Sequence, residues 1–157
     1  MQRIYAIEAW CIDCKRCEVA CRVFHSRSQD PVKAYKFEAE LPPTRVFVEG
    51  DSHLSIAVNC RHCDRPKCVE GCISGAMVKN PQTGLVTSDP EKCVGCRTCV
   101  SMCPYGAVRV VPVRQRDKAV KCDLCGEVFG KPGNPRCVEV CPNRALIYVE
   151  SEEPHYE

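Results

Sequence analysis

Sixteen cysteines dominate this 157-residue sequence, and they are grouped rather than scattered. They form four groups of four, each of which begins C-x-x-C and ends C-x-x-x-C. The groups are Cys11, Cys14, Cys17 and Cys21; Cys60, Cys63, Cys68 and Cys72; Cys93, Cys96, Cys99 and Cys103; and Cys122, Cys125, Cys137 and Cys141. Because thiolates serve as nucleophiles, redox groups and soft metal ligands, their spacing has to indicate which chemistry applies.

The spacing C-x2-C-x2-C-x3-C of groups one and three is typical of bacterial cubane iron–sulfur proteins. In that arrangement the first three cysteines hold one 4Fe-4S cluster, and the fourth holds the other cluster of a pair. Groups two and four keep the C-x-x-C start and the C-x-x-x-C end, but have more residues between the second and third cysteines. A proline follows the last cysteine in groups three and four, whereas Arg22 and Ile73 stand there in groups one and two. The sequence therefore predicts four 4Fe-4S clusters, all with complete cysteine ligation.

Three other uses of grouped cysteines fit less well. Zinc ribbons need two separated cysteine pairs, and only group four, taken alone, has that pattern. A disulfide framework is typical of secreted proteins, and the start "MQRIYAIEAW" carries no apolar signal segment. A radical enzyme that cleaves S-adenosylmethionine needs C-x3-C-x2-C, and none of the four C-x3-C pairs continues in that way.

Chain reach predicts which groups share clusters. Only the 20 residues from Ile73 to Lys92 join groups two and three, so these two form an inner pair and groups one and four an outer pair. Exchange of the fourth cysteine then predicts four ligand sets. They are Cys11, Cys14, Cys17 and Cys141; Cys122, Cys125, Cys137 and Cys21; Cys60, Cys63, Cys68 and Cys103; and Cys93, Cys96, Cys99 and Cys72.

The segments between the groups have to position these cysteines, and their patterns predict short hairpins and short helices. Apolar runs flank the turns at Gly50–Asp51, Asn80–Pro81 and "RQRD", and each C-x-x-x-C end is expected to form a short helix. The longest cysteine-free insertion, Phe24–Thr44, is expected to be a surface loop. The predicted fold class is α+β with two ferredoxin-like modules: residues 1–53 and 113–150 form the outer one, 54–112 the inserted inner one, and 151–157 a flexible tail.

Charge and hydropathy limit the partners of the chain. The formal net charge is only +2, so bulk electrostatics give no reason to expect nucleic-acid binding. No stretch approaches the roughly 20 apolar residues that a membrane-spanning helix needs. The sequence is therefore expected to belong to a cytoplasmic protein without a membrane span.

A few other residues stand out near the cysteines. His62, between two cysteines of group two, is either a hydrogen-bond donor to a cluster or an exposed loop residue. Trp10 precedes Cys11 and is expected to pack over the cluster. Six cations crowd the loops and are expected to offset cluster charge or to form a docking surface: Lys15, Arg16, Arg61, Arg65, Lys67 and Arg97. No nucleotide-binding glycine motif is present, and no residue is expected to be catalytic.

The order of the groups, with enlarged loops in groups two and four, resembles the iron–sulfur electron-transfer subunits of the dimethyl-sulfoxide-reductase type. The resemblance covers residues 4–150. The stretches "CRHCDRPKC", "GCISGAM" and "CDLC" followed by "CVEVCP" are similar to the short cytoplasmic members that accompany tungsten aldehyde oxidoreductase, carbon monoxide dehydrogenase or formate dehydrogenase.

This resemblance implies an electron-transfer subunit that links two partners. One would be a large catalytic redox subunit with a tungsten, molybdenum or nickel site. The other would be a flavin NAD-linked subunit, a ferredoxin, a hydrogenase or further copies of this chain. A free-standing polyferredoxin carrier and a structural metal-binding protein are the alternatives, and reversible bleaching by dithionite would separate both carriers from the structural protein.

Overall fold

The segments between the cysteine groups form short strands and short helices in the computed structural model, which describes residues 2–51, 53–113, 115–126 and 134–150. In chain order the elements are β1 (Gln2–Ala6), a 3-10 helix (Glu8–Trp10), α1 (Arg16–His25), α2 (Pro31–Phe37), β2 (Phe47–Gly50), β3 (Ser55–Val58), α3 (Lys67–Glu70), β4 (Met77–Lys79), β5 (Val86–Ser88), α4 (Thr98–Met102), β6 (Arg109–Val113), β7 (Arg116–Val120), α5 (Arg136–Glu139) and β8 (Leu146–Glu150).

The strands pair two by two, and the three predicted hairpins are confirmed. β2 pairs with β3, β4 with β5, and β6 with β7, all antiparallel. β1 pairs with β8, which joins the two ends of the sequence. In β3 the buried residues Ser55 and Ala57 alternate with half-buried ones, because successive side chains of a strand point to opposite faces.

Two compact units make up the described chain. Unit 1 consists of Asn59–Asp123, together with the described residues up to Arg3 and from Val149 onward. Unit 2 consists of Ile4–Val58 and the described part of Leu124–Tyr148. The expected α+β architecture of short strand pairs and few helices is compatible with a ferredoxin-like 4Fe-4S domain. The module boundaries after residues 53 and 112 stay predictions, and the predicted tail at 151–157 lies outside the described residues.

Each unit brings two cysteine-bearing helices together. In unit 1, α3 packs against α4, and these helices carry Cys68 and Cys99. In unit 2, α1 packs against α5, and these carry Cys17 and Cys137. One cluster of buried residues in unit 1 contains Met77, Cys99, Val108 and Ala119.

The insertion Phe24–Thr44 is not the simple surface loop that the sequence predicts. It contains α2, which packs against α1 and buries Ala34 completely. Asp30 caps this helix, because its Oδ1 accepts a hydrogen bond of 2.8 Å from the N–H of Lys33, and Pro31 occupies the first turn. The dipeptide Asp30–Pro31 is therefore a helix-start signal that the sequence analysis missed.

Within the described ranges, none of the helices combines the length and the apolar character that crossing a bilayer requires.

Candidate metal centres

The C-x-x-C turns of all four cysteine groups share one backbone feature. The residue before the second cysteine has a left-handed φ each time: 53° at Asp13, 45° at His62, 72° at Gly95 and 54° at Leu124. Such a turn directs successive N–H groups toward one point and so creates an anion-binding concavity. In group two, the N–H of His62 donates to the Sγ of Cys60 at 3.4 Å. The turn is therefore suited to holding thiolates and an anionic group.

The groups differ in how the chain enters the helix that carries the third cysteine. In groups one and three, the left-handed residues Lys15 and Arg97 directly precede α1 and α4. In groups two and four, Pro66 and Pro135 precede α3 and α5. A proline fixes its own φ and suits a helix start, so it can end an enlarged loop at a defined point. The extra residues therefore leave the position of the third cysteine in its helix unchanged.

A backbone turn also follows the fourth cysteine of three groups. At Cys141, the left-handed residue Arg144 donates its N–H to the Cys141 carbonyl at 3.3 Å, and the N–H of Ala145 donates to the Cys141 Sγ at 3.2 Å. The same arrangement recurs at Cys72 and Cys103, where the N–H groups of Met77 and Ala107 each lie 3.4 Å from the sulfur. These donors stabilise negative charge on a thiolate.

Cys21 obtains its donors differently, because it lies inside α1. The N–H of Arg45, at the end of the insertion, donates to its Sγ at 3.3 Å. His25 Nδ1 lies 3.7 Å from the same sulfur and 2.8 Å from the Cys21 carbonyl. Burial acts to raise the pKa of Cys21, but the hydrogen bonds and charge of His25 and the Arg45 N–H outweigh it and lower the pKa.

In the part of the chain that the structure describes, three cavities are lined by three thiols of one cysteine group and one thiol of another. The first cavity is lined by Cys11, Cys14, Cys17 and Cys141, the second by Cys60, Cys63, Cys68 and Cys103, and the third by Cys93, Cys96, Cys99 and Cys72. These groupings coincide with three of the predicted ligand sets, and metal ligation itself stays a prediction.

The fourth predicted set is less completely described. Cys21 and Cys137 are buried on α1 and α5, which pack together in unit 2. Cys125 is half-buried in the same unit, and Cys122 is a buried residue of unit 1. Much of the enlarged loop of group four, residues 127–133, lies outside the described residues.

A side-chain contact joins the two segments that line the second cavity. Arg61 of group two lies over the ring of Tyr105, 4.4 Å from its centroid, and Tyr105 follows Cys103 by two residues. Both side chains line the cavity of Cys60 and Cys103. This cation–π contact stabilises the approach of the end of group three to the loop of group two.

Burial controls the protonation of the third cysteine in three groups. Burial raises the pKa of Cys17 to about 12 and that of Cys68 to about 11, and it also raises the pKa of Cys99. Without a metal these thiols keep their protons at neutral pH, so binding of iron has to release protons here. At Cys72, by contrast, hydrogen bonds from the Met77 N–H and from Ser74 outweigh the effect of burial, and the pKa is lowered.

The thiols fit a cluster better than a single ion. Among the described residues, no group of three His, Cys, Asp or Glu side chains could hold one metal ion. The thiols of each cavity surround a space instead, as is required of ligands that each bind a different iron of one cubane. The cavities are otherwise lined mostly by apolar residues, and the backbone donors point at sulfur.

His62 is completely buried, so its interpretation as an exposed loop residue is wrong. Its Nδ1 accepts a hydrogen bond of 3.0 Å from the N–H of Val86, which leaves the proton of the neutral ring on Nε2. Burial, with a smaller contribution from the charge of Lys121, lowers the pKa of His62 to about 3. Nε2 has no acceptor among the described residues, and donation from it to a cluster stays a prediction.

Two lysines outside the cysteine loops contact the cysteine groups, whereas most of the cations within the loops are exposed. Of the six loop cations, Lys15, Arg16, Arg65, Lys67 and Arg97 are exposed. Lys118 in β7 and Lys121 just after it donate instead to the carbonyl oxygens of Cys93 and Cys122, at 2.8 and 2.9 Å. Their position in and after a strand gives no sign of these contacts in the sequence.

Comparison with known proteins places these features in context. A family model described as a 4Fe-4S dicluster domain matches residues 52–151. Electron transport protein HydN of Escherichia coli (strain K12) is 38% identical over 160 residues, which cover 94% of this chain and 87% of that protein. The putative electron transport protein YsaA of the same strain is 35% identical over 147 residues, which cover 91% of this chain and 86% of that protein.

A similar solved structure is a chain of the active site complex BamBC of benzoyl coenzyme A reductase in complex with zinc. The match covers 98% of this chain and 82% of that chain, at 25% identity and a TM-score of 0.49.

Proposed function

The chain belongs to the 4Fe-4S dicluster domain family, and from this premise we propose that it is an electron-transfer subunit with four 4Fe-4S clusters and no active site of its own. Relatives that share most of its length are named for electron transport. Sixteen cysteines supply four ligands for each of four cubanes.

One observation carries the proposal: thiols of two different cysteine groups line each of three cavities. This supports the exchange of fourth ligands that paired cubanes use. We propose the following ligand sets: Cys11, Cys14, Cys17 and Cys141; Cys60, Cys63, Cys68 and Cys103; Cys93, Cys96, Cys99 and Cys72; and Cys122, Cys125, Cys137 and Cys21.

Two of the proposed clusters have an exposed ligand and an apolar residue beside it. Cys14 and Cys96 are exposed, whereas the second cysteines of groups two and four are half-buried. Ile12 and Val94, within the same C-x-x-C turns, are 57% and 66% exposed. Electrons pass most easily where a partner approaches a cluster closely, and exposed apolar side chains favour such contact. We therefore propose that electrons enter and leave at these two places, one in each unit.

Two entry points suit a protein that connects two partners. We propose a large catalytic redox subunit with a tungsten, molybdenum or nickel site on one side. On the other side we propose a flavin NAD-linked subunit, a ferredoxin, a hydrogenase or a further copy of this chain. The resemblance to subunits of the dimethyl-sulfoxide-reductase type supports this arrangement.

Anaerobic purification of the tagged full-length chain from its native cells tests the proposal. We expect a large protein to co-purify, metal analysis of the complex to find tungsten, molybdenum or nickel beside iron, and the visible absorbance to bleach with dithionite and return on oxidation. A chain that purifies alone but bleaches reversibly would favour the free carrier. Absorbance that does not bleach would contradict both carrier functions.

A further inference from the structure

The carbonyl oxygen of the first cysteine accepts a hydrogen bond from a side chain in every group. The donors at Cys11 and Cys60 are neutral: the Ser55 hydroxyl at 3.2 Å and the Asn59 amide at 3.4 Å. The donors at the other two groups are ammonium groups, Lys118 Nζ to Cys93 at 2.8 Å and Lys121 Nζ to Cys122 at 2.9 Å. One position therefore carries a charge in two groups and none in the other two.

Strand β7 fixes the ammonium group of Lys118 beside Cys93. The N–H of the next residue, Ala119, donates to the Sγ of Cys93 at 3.3 Å. The strand thus contacts the same cysteine at its carbonyl and at its sulfur. Lys118 is half-buried, so solvent screens its charge less than that of a surface lysine.

Lys121 is buried, with 4% of its surface exposed. Besides the Cys122 carbonyl, its Nζ contacts the carbonyl oxygen of Val86, whose side chain lines the cavity of Cys60 and Cys68. Against the raising effect of burial, the charge of Lys121 also acts to lower the pKa of the Cys68 thiol.

A buried ammonium group whose hydrogen bonds go to neutral carbonyls needs a compensating anion nearby. An oxidised cubane with four thiolates carries a charge of about −2 and would supply it. The hydrogen bonds of Lys121 are therefore consistent with an anionic cluster bound through Cys122.

On the basis of the proposed function, we propose that Lys118 and Lys121 set cluster potentials: each raises the reduction potential of the cluster bound through the cysteine it contacts, Cys93 or Cys122. Reduction adds one electron from a low-potential donor, and no bond is made or broken. The added negative charge is stabilised by a fixed cation nearby, which favours the reduced state. Of the four proposed clusters, two are therefore easier to reduce because a lysine lies beside them.

The test is an anaerobic redox titration of the intact holoprotein, followed by electron paramagnetic resonance. In Lys118→Met and Lys118→Gln we expect the midpoint potential of one cluster to fall by about 59 mV or more. For a one-electron reduction this shift corresponds to a tenfold change in the equilibrium constant. The glutamine variant keeps a hydrogen-bond donor, so a shift in both variants identifies the charge as the cause. Lys118→Arg keeps the charge, and its midpoint is expected to stay near that of the unchanged protein.

Lys92→Met is the matched control. Lys92 precedes Cys93 in the sequence, but its side chain is 63% exposed and lies 3.8 Å from Asp89. This variant loses the same charge beside the same cysteine, and we expect a clearly smaller shift because solvent screens the surface lysine. Lys121→Met is expected to lower the midpoint potential of a different cluster from the one that Lys118→Met affects.

Iron analysis of every variant separates this proposal from the proposed function. If the unchanged protein contains four reducible clusters, the proposed function is supported regardless of the midpoint potentials of the lysine variants. The proposal on the lysines is overturned if Lys118→Met keeps all its clusters and its midpoint potential falls no further than that of Lys92→Met. Loss of the cluster in both the methionine and the glutamine variant would also overturn it, since the role of Lys118 would then be structural.

Discussion

The carbonyl oxygen of Asp117 lies only 2.7 Å from the position that a Cβ on Gly95 would occupy. Gly95 belongs to the C-x-x-C turn of group three, and its φ of +72° is one that other residues rarely adopt. Strand β7 therefore approaches the turn so closely that only glycine fits.

Gly95→Ala is expected to destabilise the holoprotein by about 2–5 kcal/mol, because the left-handed backbone and the contact with Asp117 both oppose a methyl group. Gly75→Ala is the control, since Gly75 has a φ of +66° but nothing within 4 Å of its Cβ position. Gly75→Ala should lower the free energy of unfolding by only about 1–2 kcal/mol. Anaerobic denaturant unfolding measures both, and equal losses of stability would show that the contact with Asp117 is unimportant.

The exchange of ligands between groups is tested by double cysteine variants. If Cys68 and Cys103 hold the same cluster, Cys68→Ala combined with Cys103→Ala should remove at most one cluster, about four iron per chain. Cys99→Ala combined with Cys103→Ala should damage two clusters, and up to about eight iron should be lost. The opposite ranking of iron contents would mean that each group holds its own cluster.

Much of the site geometry follows from the sequence, but its electrostatics do not. Cysteine spacing and chain reach predict the groupings that line the three cavities, and alternating apolar residues predict the hairpins. The left-handed conformations of Asp13, His62 and Leu124 could not be predicted, because only a few per cent of non-glycine residues adopt a positive φ and the tertiary fold maintains it here. The burial of His62 and Lys121 also depends on long-range contacts that local patterns do not contain.

Folding is expected to depend on the clusters. Few large side chains are completely buried among the described residues, and a core cluster of unit 1 includes Cys99 and packs against four further cysteines. Removal of iron by a chelator under reducing conditions should therefore unfold the chain, since metal binding supplies part of the folding free energy. Far-ultraviolet circular dichroism follows this loss. A native spectrum in the iron-free chain would contradict the expectation.

Contact between partners is tested at the two exposed turns. Ile12→Ser and Val94→Ser should each slow electron exchange with one partner by about tenfold, because a lost apolar contact of about 1.4 kcal/mol corresponds to that factor. Cluster midpoints are measured in the same variants, because Ile12 and Val94 line cysteine cavities and a change of driving force has to be separated from a lost contact. Val78→Ser in β4 is the control, since Val78 is 46% exposed and does not line a cysteine cavity. Stopped-flow reduction by the purified partner measures the rates, and three equal rates would refute the proposed entry points.

The number of complete clusters is the central claim, and iron and sulfide analysis of the anaerobically purified chain tests it most directly. Four cubanes with full cysteine ligation predict about sixteen iron and sixteen sulfide per chain, with no three-iron signal in the oxidised protein. About eight iron, or about twelve with a three-iron signal, would contradict four complete clusters.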